Sequence, residues 1–578
     1  MRKKITSIFL CITMFFAIFV IEVPKETTAQ LWEEWVARYN GPDNLYDYAK
    51  AVAVDSSGNV YVTGGSAHRL YPDPFPKLWE GDIDYLTIKY DTSGNILWSA
   101  RYDSPSGDCK DLARAIAVDS YGNVYVTGIS AERRPHSQGG NHSVNDYATI
   151  KYDPEGNELW VARYTPTPFA DNGACDIAID ESSGNVYVTG DSGTVAYDSS
   201  GNQLWVGGSI GITNAITIGP SGNIYVVGHL LGYAPGGYFG IVAYSPLGKE
   251  LWVAGENGLG NLKGVSYDVV VDLYENIYVT GTSQGGATNT DYATVAFNSL
   301  GTKLWVARYN GPGNYRDMVK ALTVSPSGNV YVTGLSYCNE TNYDIITVAY
   351  DSSGNELWVA RYNGPGNGNE VTCDIACDPF GNIFVTGSSE GNGTSYDYVI
   401  IAYDLSGSES WVERYNGPGN WEDFTTGITS DYLGNVYITG ASSRSGIFFD
   451  PDGMPRWDNF DYATIKYSRE RPKRKANIDI DPDTLNLKSK GRWITCYIQL
   501  NGYDVSEIDI STVLLENAIP AEWGDVQNET LMVKFDRNDV EDFIRTPAEN
   551  VELTVTGELL DGTQFEGKDT IRVIEPGR

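Results

Sequence analysis

Acidic side chains recur in this chain at two fixed places, and binding a cation through oxygen is the first chemistry such residues could do. One set is Asp84, Asp146, Asp291, Asp344, Asp397 and Asp461; the other is Asp47, Asp111, Asp317, Glu370 and Asp423. Where such carboxylates converge around one opening they suit a hard ion such as calcium; no other cofactor is expected. Repetition argues for a structural duty instead, because catalysis needs a site that differs from its copies. An aspartate beside a turn accepts backbone hydrogen bonds without any metal. The remaining motifs exclude more than they offer. There is no Cys-x-x-Cys pair, no zinc spacing and no Gly-x-Ser-x-Gly elbow. No two unmatched carboxylates stand out as a glycoside-cleaving pair. The balance is against an enzyme.

Three stretches break the repetition: Ser66–Asp84, Ser130–Asp146 and Ser442–Asp461. They carry aromatic residues amid basic ones, a mixture suited to recognition. Tyr and Trp supply contact area, and Arg pairs in bidentate fashion with carboxylate or phosphate. The candidate ligand-binding residues are Tyr71, Trp79, Arg69, Arg133, Arg134, His136, Arg444, Phe448, Arg456 and Trp457. The same aromatics would also serve as small cores of long loops folded onto the body, and the sequence leaves both readings open.

The elements that must position these loops follow from composition and periodicity. The chain has 578 residues, a formal charge of −34, 63 Gly, 40 Tyr and 14 Trp. So acidic a chain lacks the basic face that nucleic acid requires. Gly-Asn-Val-Tyr-Val-Thr-Gly stands at Gly58–Gly64 and returns, with variants, at Gly122, Gly184, Gly222, Glu275, Gly328, Gly381 and Gly434, eight copies in all. A second phrase, Asp-Tyr-Ala-Thr-Ile-Lys-Tyr, is clearest at Asp146–Tyr152 and Asp461–Tyr467. A third carries Trp98, Trp160, Trp205, Trp252, Trp305, Trp358 and Trp411, with Trp35 at the front. Val, Ile, Tyr and Thr between Gly-Asn turns read as short strands. In the second unit these are Ala113–Val118, Asn123–Thr127, Tyr147–Tyr152 and Glu158–Tyr164. Weak alternation fits sheets covered on both faces, and four short strands per repeat fit propeller blades. Ala113, Ala115 and Ala117 suit the crowded strand at the axis; the Trp strand suits the perimeter. The first repeat phrase is a lone Trp strand, Glu34–Tyr39, and the last is a lone third strand, Asp461–Tyr467. Pairing them closes an eight-bladed all-β ring without an open edge.

The phrases Asp-x-x-Gly-Asn-Val-Tyr-Val-Thr-Gly and Tyr-Asp-x-x-Gly-Asn-x-Leu-Trp resemble those of the bacterial and archaeal β-propeller repeat proteins called SBBP, over residues 31–468. The resemblance implies the architecture and no agreed reaction or ligand. The family label implies seven blades, whereas eight repeats are counted here. The Gly-Asn-x-Leu-Trp phrase is superficially similar to the quinoprotein dehydrogenases, but the adjacent Cys-Cys pair of that class is missing.

The ends of the chain add three expectations. Residues 1–29 read as an export signal, with Arg2, Lys3 and Lys4 before an apolar run and small residues near Ala29. Residues 30–468 form the propeller, 469–475 a basic linker, and 476–578 an immunoglobulin-like β-sandwich with strands at Trp493–Leu500, Thr530–Phe535, Val551–Gly557 and Thr570–Val573. A secreted, cell-surface or periplasmic binding or scaffold protein is expected, with an envelope protein or polysaccharide as partner, no nucleic acid, and no membrane span once the signal is cleaved. The alternatives are a self-assembling structural protein of the envelope, or a propeller enzyme of quinoprotein or polysaccharide-cleaving type.

Overall fold

In a computed structural model, residues 31–578 are described except 70–81, 106, 108, 136–140, 166–172, 209–210, 231–237, 257–263, 285–289, 445–447, 450–454, 457–459, 470–472, 501–502, 546–547, 561 and 575–578. The expected export signal, residues 1–29, lies outside them.

Eight four-stranded antiparallel sheets make up the propeller. In the second blade the strands are Asp111–Val118, Val124–Pro135, Asn141–Tyr152 and Glu158–Tyr164, from the axis outward. The last blade takes Asp423–Ser430, Val436–Ser443 and Phe460–Ser468 from one end of the chain and Trp32–Tyr39 from the other. Val36 pairs with Ile465 and Tyr39 with Tyr462 in that antiparallel seam, so the ring closes as the repeat count requires. The middle strands are buried nearly throughout, as in Asp82–Tyr90 and Phe460–Ser468, because neighbouring blades cover both faces.

Tryptophan couples each blade to the next. The indole N–H groups of Trp35, Trp98, Trp160, Trp205, Trp252, Trp305 and Trp358 each donate to a carbonyl in the outer turn of the following blade, at 2.9–3.1 Å. Each ring lies between two aromatics; Trp305, for instance, stands 5.9 Å from Tyr278 and 6.0 Å from Tyr350. The receiving turn must bring its glycine onto the indole. At Gly354 the backbone has φ +85°, and a Cβ there would sit 2.6 Å from Trp305 Cδ2. Trp411 has no such turn to meet, because its neighbour is the closing seam, and it rests edge-on against Tyr467.

Every innermost strand carries a bulge near its start, visible as a register shift at Ala49/Ala51, Ala113/Ala115, Ala174/Asp176, Thr213/Ala215, Ser266/Asp268, Val319/Ala321, Thr372/Asp374 and Thr425/Gly427. A bulge leaves one residue unpaired and re-aims its side chain. These eight residues surround the axis.

The C-terminal strands follow one continuous path. Its order is Ile519–Pro520, Ile508–Leu515, Ala548–Leu559, Gln564–Ile574, Arg474–Asp481, Trp493–Leu500, Thr530–Asp536 and Trp523–Gln527, with Thr484–Asn486 alongside Gln564–Ile574. The expectation was two stacked sheets; the described strands instead form a single curled sheet around one apolar core that includes Ile494, Leu531, Val555 and Phe565. Arg474–Asp481 is the reason. It pairs parallel to Gln564–Ile574 through Arg474 and Lys475, then antiparallel to Trp493–Leu500, and so joins the two halves. A helix, Arg537–Ile544, begins where Asp536 accepts the Asn538 N–H. Among the described residues no helix is long and apolar enough to cross a membrane.

Candidate functional site

The recurrent acids lie at the blade junctions on the face where second strands pass to third strands. The acid that opens each innermost strand caps the chain arriving from the previous blade: Asp47 accepts from Gly41 N–H at 2.6 Å, Asp111 from Ser104, Asp317 from Gly311, Glu370 from Gly364 and Asp423 from Gly417. The acid that opens the third strand pairs with an arginine of the outer strand. Arg38 meets Asp461 at 3.1 Å, Arg101 meets Asp84 at 3.0 Å, Arg361 meets Asp344 at 2.6 Å and Arg414 meets Asp397 at 3.0 Å. The arginine also donates to a serine of the second strand, as Arg163 does to Ser130 Oγ at 2.6 Å. Repeated carboxylates here therefore hold loops and blades together. Burial raises the pKa of the innermost-strand acids: to about 6 for Asp47, Asp111 and Asp423, and to about 7 for Glu370.

The junction between the first and second blades departs from this pattern. His68 Nδ1 lies 3.4 Å from Asp84 and 3.6 Å from buried Asp82. Two sets of ligand atoms, His68–Asp82–Asp84 and Asp84–Asp103–Asp111, each fall within 4.8 Å. Only this junction among the described residues gathers so many donors.

The three long loops do lie in neighbouring blades, eight, one and two. In the second blade the hairpin continues past Ser130–Asp146 through five more pairs, to Pro135 opposite Asn141. That ribbon reaches about 17 Å beyond the blade at roughly 3.3 Å per residue. It carries Arg133 and Arg134 in its backbone. In the eighth blade Phe448–Phe449 pairs with Pro455–Arg456, and in the first the second strand runs on to Arg69. Arg444 is the one candidate whose side chain is described. Its Nε meets Asp461 at 2.8 Å, and its other nitrogens donate to Asn44 and to the Leu45 carbonyl, which ties the eighth-blade loop to the first blade. Tyr71, Trp79, His136 and Trp457 lie outside the described residues, as do the side chains of Arg69, Arg133, Arg134, Phe448 and Arg456.

Two features escaped the reading of the sequence. Charged residues line the axis at the bulges: Lys50, Arg114 and Lys320. Their signal is a lone cation inside an otherwise apolar strand, as in Tyr-Ala-Lys-Ala, Leu-Ala-Arg-Ala and Met-Val-Lys-Ala. On the opposite face, turns of blades five to eight line a depression of about 540 Å³ that includes Leu273, Tyr274, Pro379 and Tyr432. The basic linker starts beside it, with Arg469 stacked 4.3 Å over Phe380 and 3.5 Å from Asp378.

With this geometry the chain is a β-propeller repeat protein. The SBBP β-propeller repeat model matches residues 34–71. The chain is 24% identical over 552 residues to an uncharacterized WD repeat-containing protein of Acanthamoeba polyphaga mimivirus, covering 78% of this chain and 34% of that protein, so it spans about a third of that relative's length. Among solved structures, a protein of unknown function from Dyadobacter fermentans is 7% identical, with 76% of this chain and 99% of that chain covered and a TM-score of 0.34. A putative 6-phosphogluconolactonase from Bacteroides uniformis is 12% identical, with 61% and 95% covered and a TM-score of 0.36. Likenesses this slight do not bear on function.

Proposed function

We propose that this is an exported binding or scaffold protein that recognises an envelope protein or polysaccharide through the loops of blades eight, one and two. The observation that carries the reading is the ribbon Val124–Pro135 and Asn141–Tyr152, which runs past the paired length of its blade, together with the added strand pair of blade eight. Binding residues commonly sit on loops held by a rigid scaffold, and a long projecting hairpin contributes nothing to ring closure. The calcium expectation belongs to the same sector, where Asp84, Asp103 and Asp111 offer oxygen ligands. The division into residues 30–468, a linker at 469–475 and an accessory β unit at 476–578 is part of this proposal, the last serving as spacer or attachment piece.

The test replaces Ser66–Asp84, Ser130–Asp146 and Ser442–Asp461 by short turns and compares capture from the native host's envelope fraction. A polysaccharide or protein held by the intact chain and lost by the trimmed one supports the loop face. Equal capture by both, or none by either, overturns it.

A further inference from the structure

Four of the eight bulge residues reach to the innermost strand of the next blade. Arg114 donates to Ala174 O and to Cys175 Sγ, both at 3.5 Å; Asn214 donates to Ser266 O at 2.7 Å; Cys373 to Thr425 O at 2.7 Å; and Thr426 to Ala49 O at 3.1 Å. Lys50, Tyr267 and Lys320 hold the matching positions in blades one, five and six. One ring at one height thus carries three cations. Lys50 and Arg114 are half-buried, and Lys320 is exposed to the channel.

These cations differ from six other arginines of the propeller, though not from Arg308, which also lacks a carboxylate partner. Arg38, Arg101, Arg163, Arg361, Arg414 and Arg444 each have an aspartate within 4 Å. Among the described residues, Lys50, Arg114 and Lys320 have no carboxylate within salt-bridge distance. Three acids share the axis with them and act on one another across it, each held by backbone donors. Asp176, Asp268 and Asp374 follow the bulge in blades three, five and seven. Each accepts the N–H of its own following residue and an innermost N–H of the next blade: Ile216, Leu322 or Ile428. They satisfy backbone donors that the open inner edge would otherwise orphan. Asp191 acts on Arg114 only from beyond contact distance. Lys50 touches the Tyr48 ring at 5.3 Å, and burial lowers its pKa; Arg114, Lys110 and Lys320 lower it further against an opposing effect of Cys373. Blades one and six are separated by two others, so the repulsion between Lys50 and Lys320 runs across the channel.

A protein carrying a net charge of −34 has thus gathered unpaired cations at one point on its axis, where their mutual repulsion is a standing cost. An anion placed between them would remove that repulsion and gain charge-assisted hydrogen bonds. We propose that the axial channel takes an oxyanion, a carboxylate or a phosphate group, between Lys50, Arg114 and Lys320. The site is separate from the loops of blades eight, one and two.

The experiment measures the melting temperature of the purified protein against rising inorganic phosphate, rising galacturonate, and neutral galactose, with potassium chloride matching the ionic strength. Saturable stabilisation by phosphate, by galacturonate or by both supports the site and tells which oxyanion it prefers. K50Q/K320Q weakens that binding about tenfold or more, since each lost contact is charge-assisted, while K50R/K320R and the surface variant K249Q keep it. The double glutamine variant, freed of repulsion, melts without anion at or above the parent temperature. The chain with trimmed loops binds the anion as the parent does. Stabilisation by neither anion beyond the chloride control, or equal stabilisation of the parent and K50Q/K320Q, overturns the proposal.

Discussion

The contact between Trp305 and Gly354 allows the coupling between blades to be measured as a double-mutant cycle. Trp305→Ala removes the indole bond to Ser352 O at 3.0 Å, about 0.5–1.5 kcal/mol. It also removes two ring contacts, to Tyr278 and Tyr350, at about 0.5–1.5 kcal/mol each. Because Trp305 is only half-buried, the loss is expected at about 2–4 kcal/mol, toward the low end of a large-to-small change in a core. Gly354→Ala costs the left-handed backbone, about 1–2 kcal/mol. Its Cβ also falls 2.6 Å from Trp305 Cδ2, so the indole must leave its seat and forfeit much of the same contact. Once Trp305 is gone, only the backbone cost remains. The double variant is therefore expected to lose about 2 kcal/mol less than the sum of the two single variants, well beyond the roughly 0.5 kcal/mol scatter of independent sites. Urea unfolding followed by far-ultraviolet circular dichroism measures this without relying on tryptophan fluorescence. Trp411→Ala, which loses an edge contact with Tyr467 but no turn, is expected to cost less than Trp305→Ala. Additive single variants, or a Trp411→Ala loss equal to that of Trp305→Ala, would refute the clasp.

Two further outcomes follow from the same structure. Asp47, Asp111, Asp268 and Asp423, raised to about 6, and Asp176, Glu370 and Asp374, raised to about 7, all owe the shift chiefly to burial. The folded chain therefore holds more protons than the unfolded one between the ordinary carboxyl range and pH 7, and stability falls as pH rises through that window. The melting temperature at constant ionic strength should fall from pH 5 to pH 7, and a rise over that interval would contradict this. Deleting Trp32–Tyr39 strips the partner from Phe460–Ser468 and leaves an unpaired apolar edge. The truncated chain should aggregate in light scattering and recover when a peptide of that sequence is supplied, whereas a monodisperse truncated chain would count against the closure.

What the sequence made legible, and what it hid, divides along a physical line. A blade must present the same face to two neighbours, so selection repeats its residues. Gly-Asn turns, the outer Trp and the lone strands at either end therefore announce eight blades and the seam between Trp32–Tyr39 and Phe460–Ser468. The hairpin beyond Ser130–Asp146 reads as a loop because it carries no repeating signal; its pairing to Pro135 and Asn141 is visible only in the backbone. The axial cations were hidden for the opposite reason. Ala113, Ala115 and Ala117 read as one small-residue strand under a strict period of two, which assigns Arg114 to the flank of a blade. The bulge at Ala113/Ala115 breaks that period and turns Arg114 toward the axis, with Lys50 and Lys320 at the same step of their own strands. A ring that repeats its bulge eight times but fills it with Lys, Arg, Cys, Asn, Tyr, Lys, Cys and Thr keeps the backbone device constant and varies the side chain. Constant backbone with variable side chains lets the axis differ in chemistry from one blade to the next. The structural acids at the blade junctions, in five of the eight innermost strands and six of the eight third strands, instead keep one chemistry wherever the contact recurs.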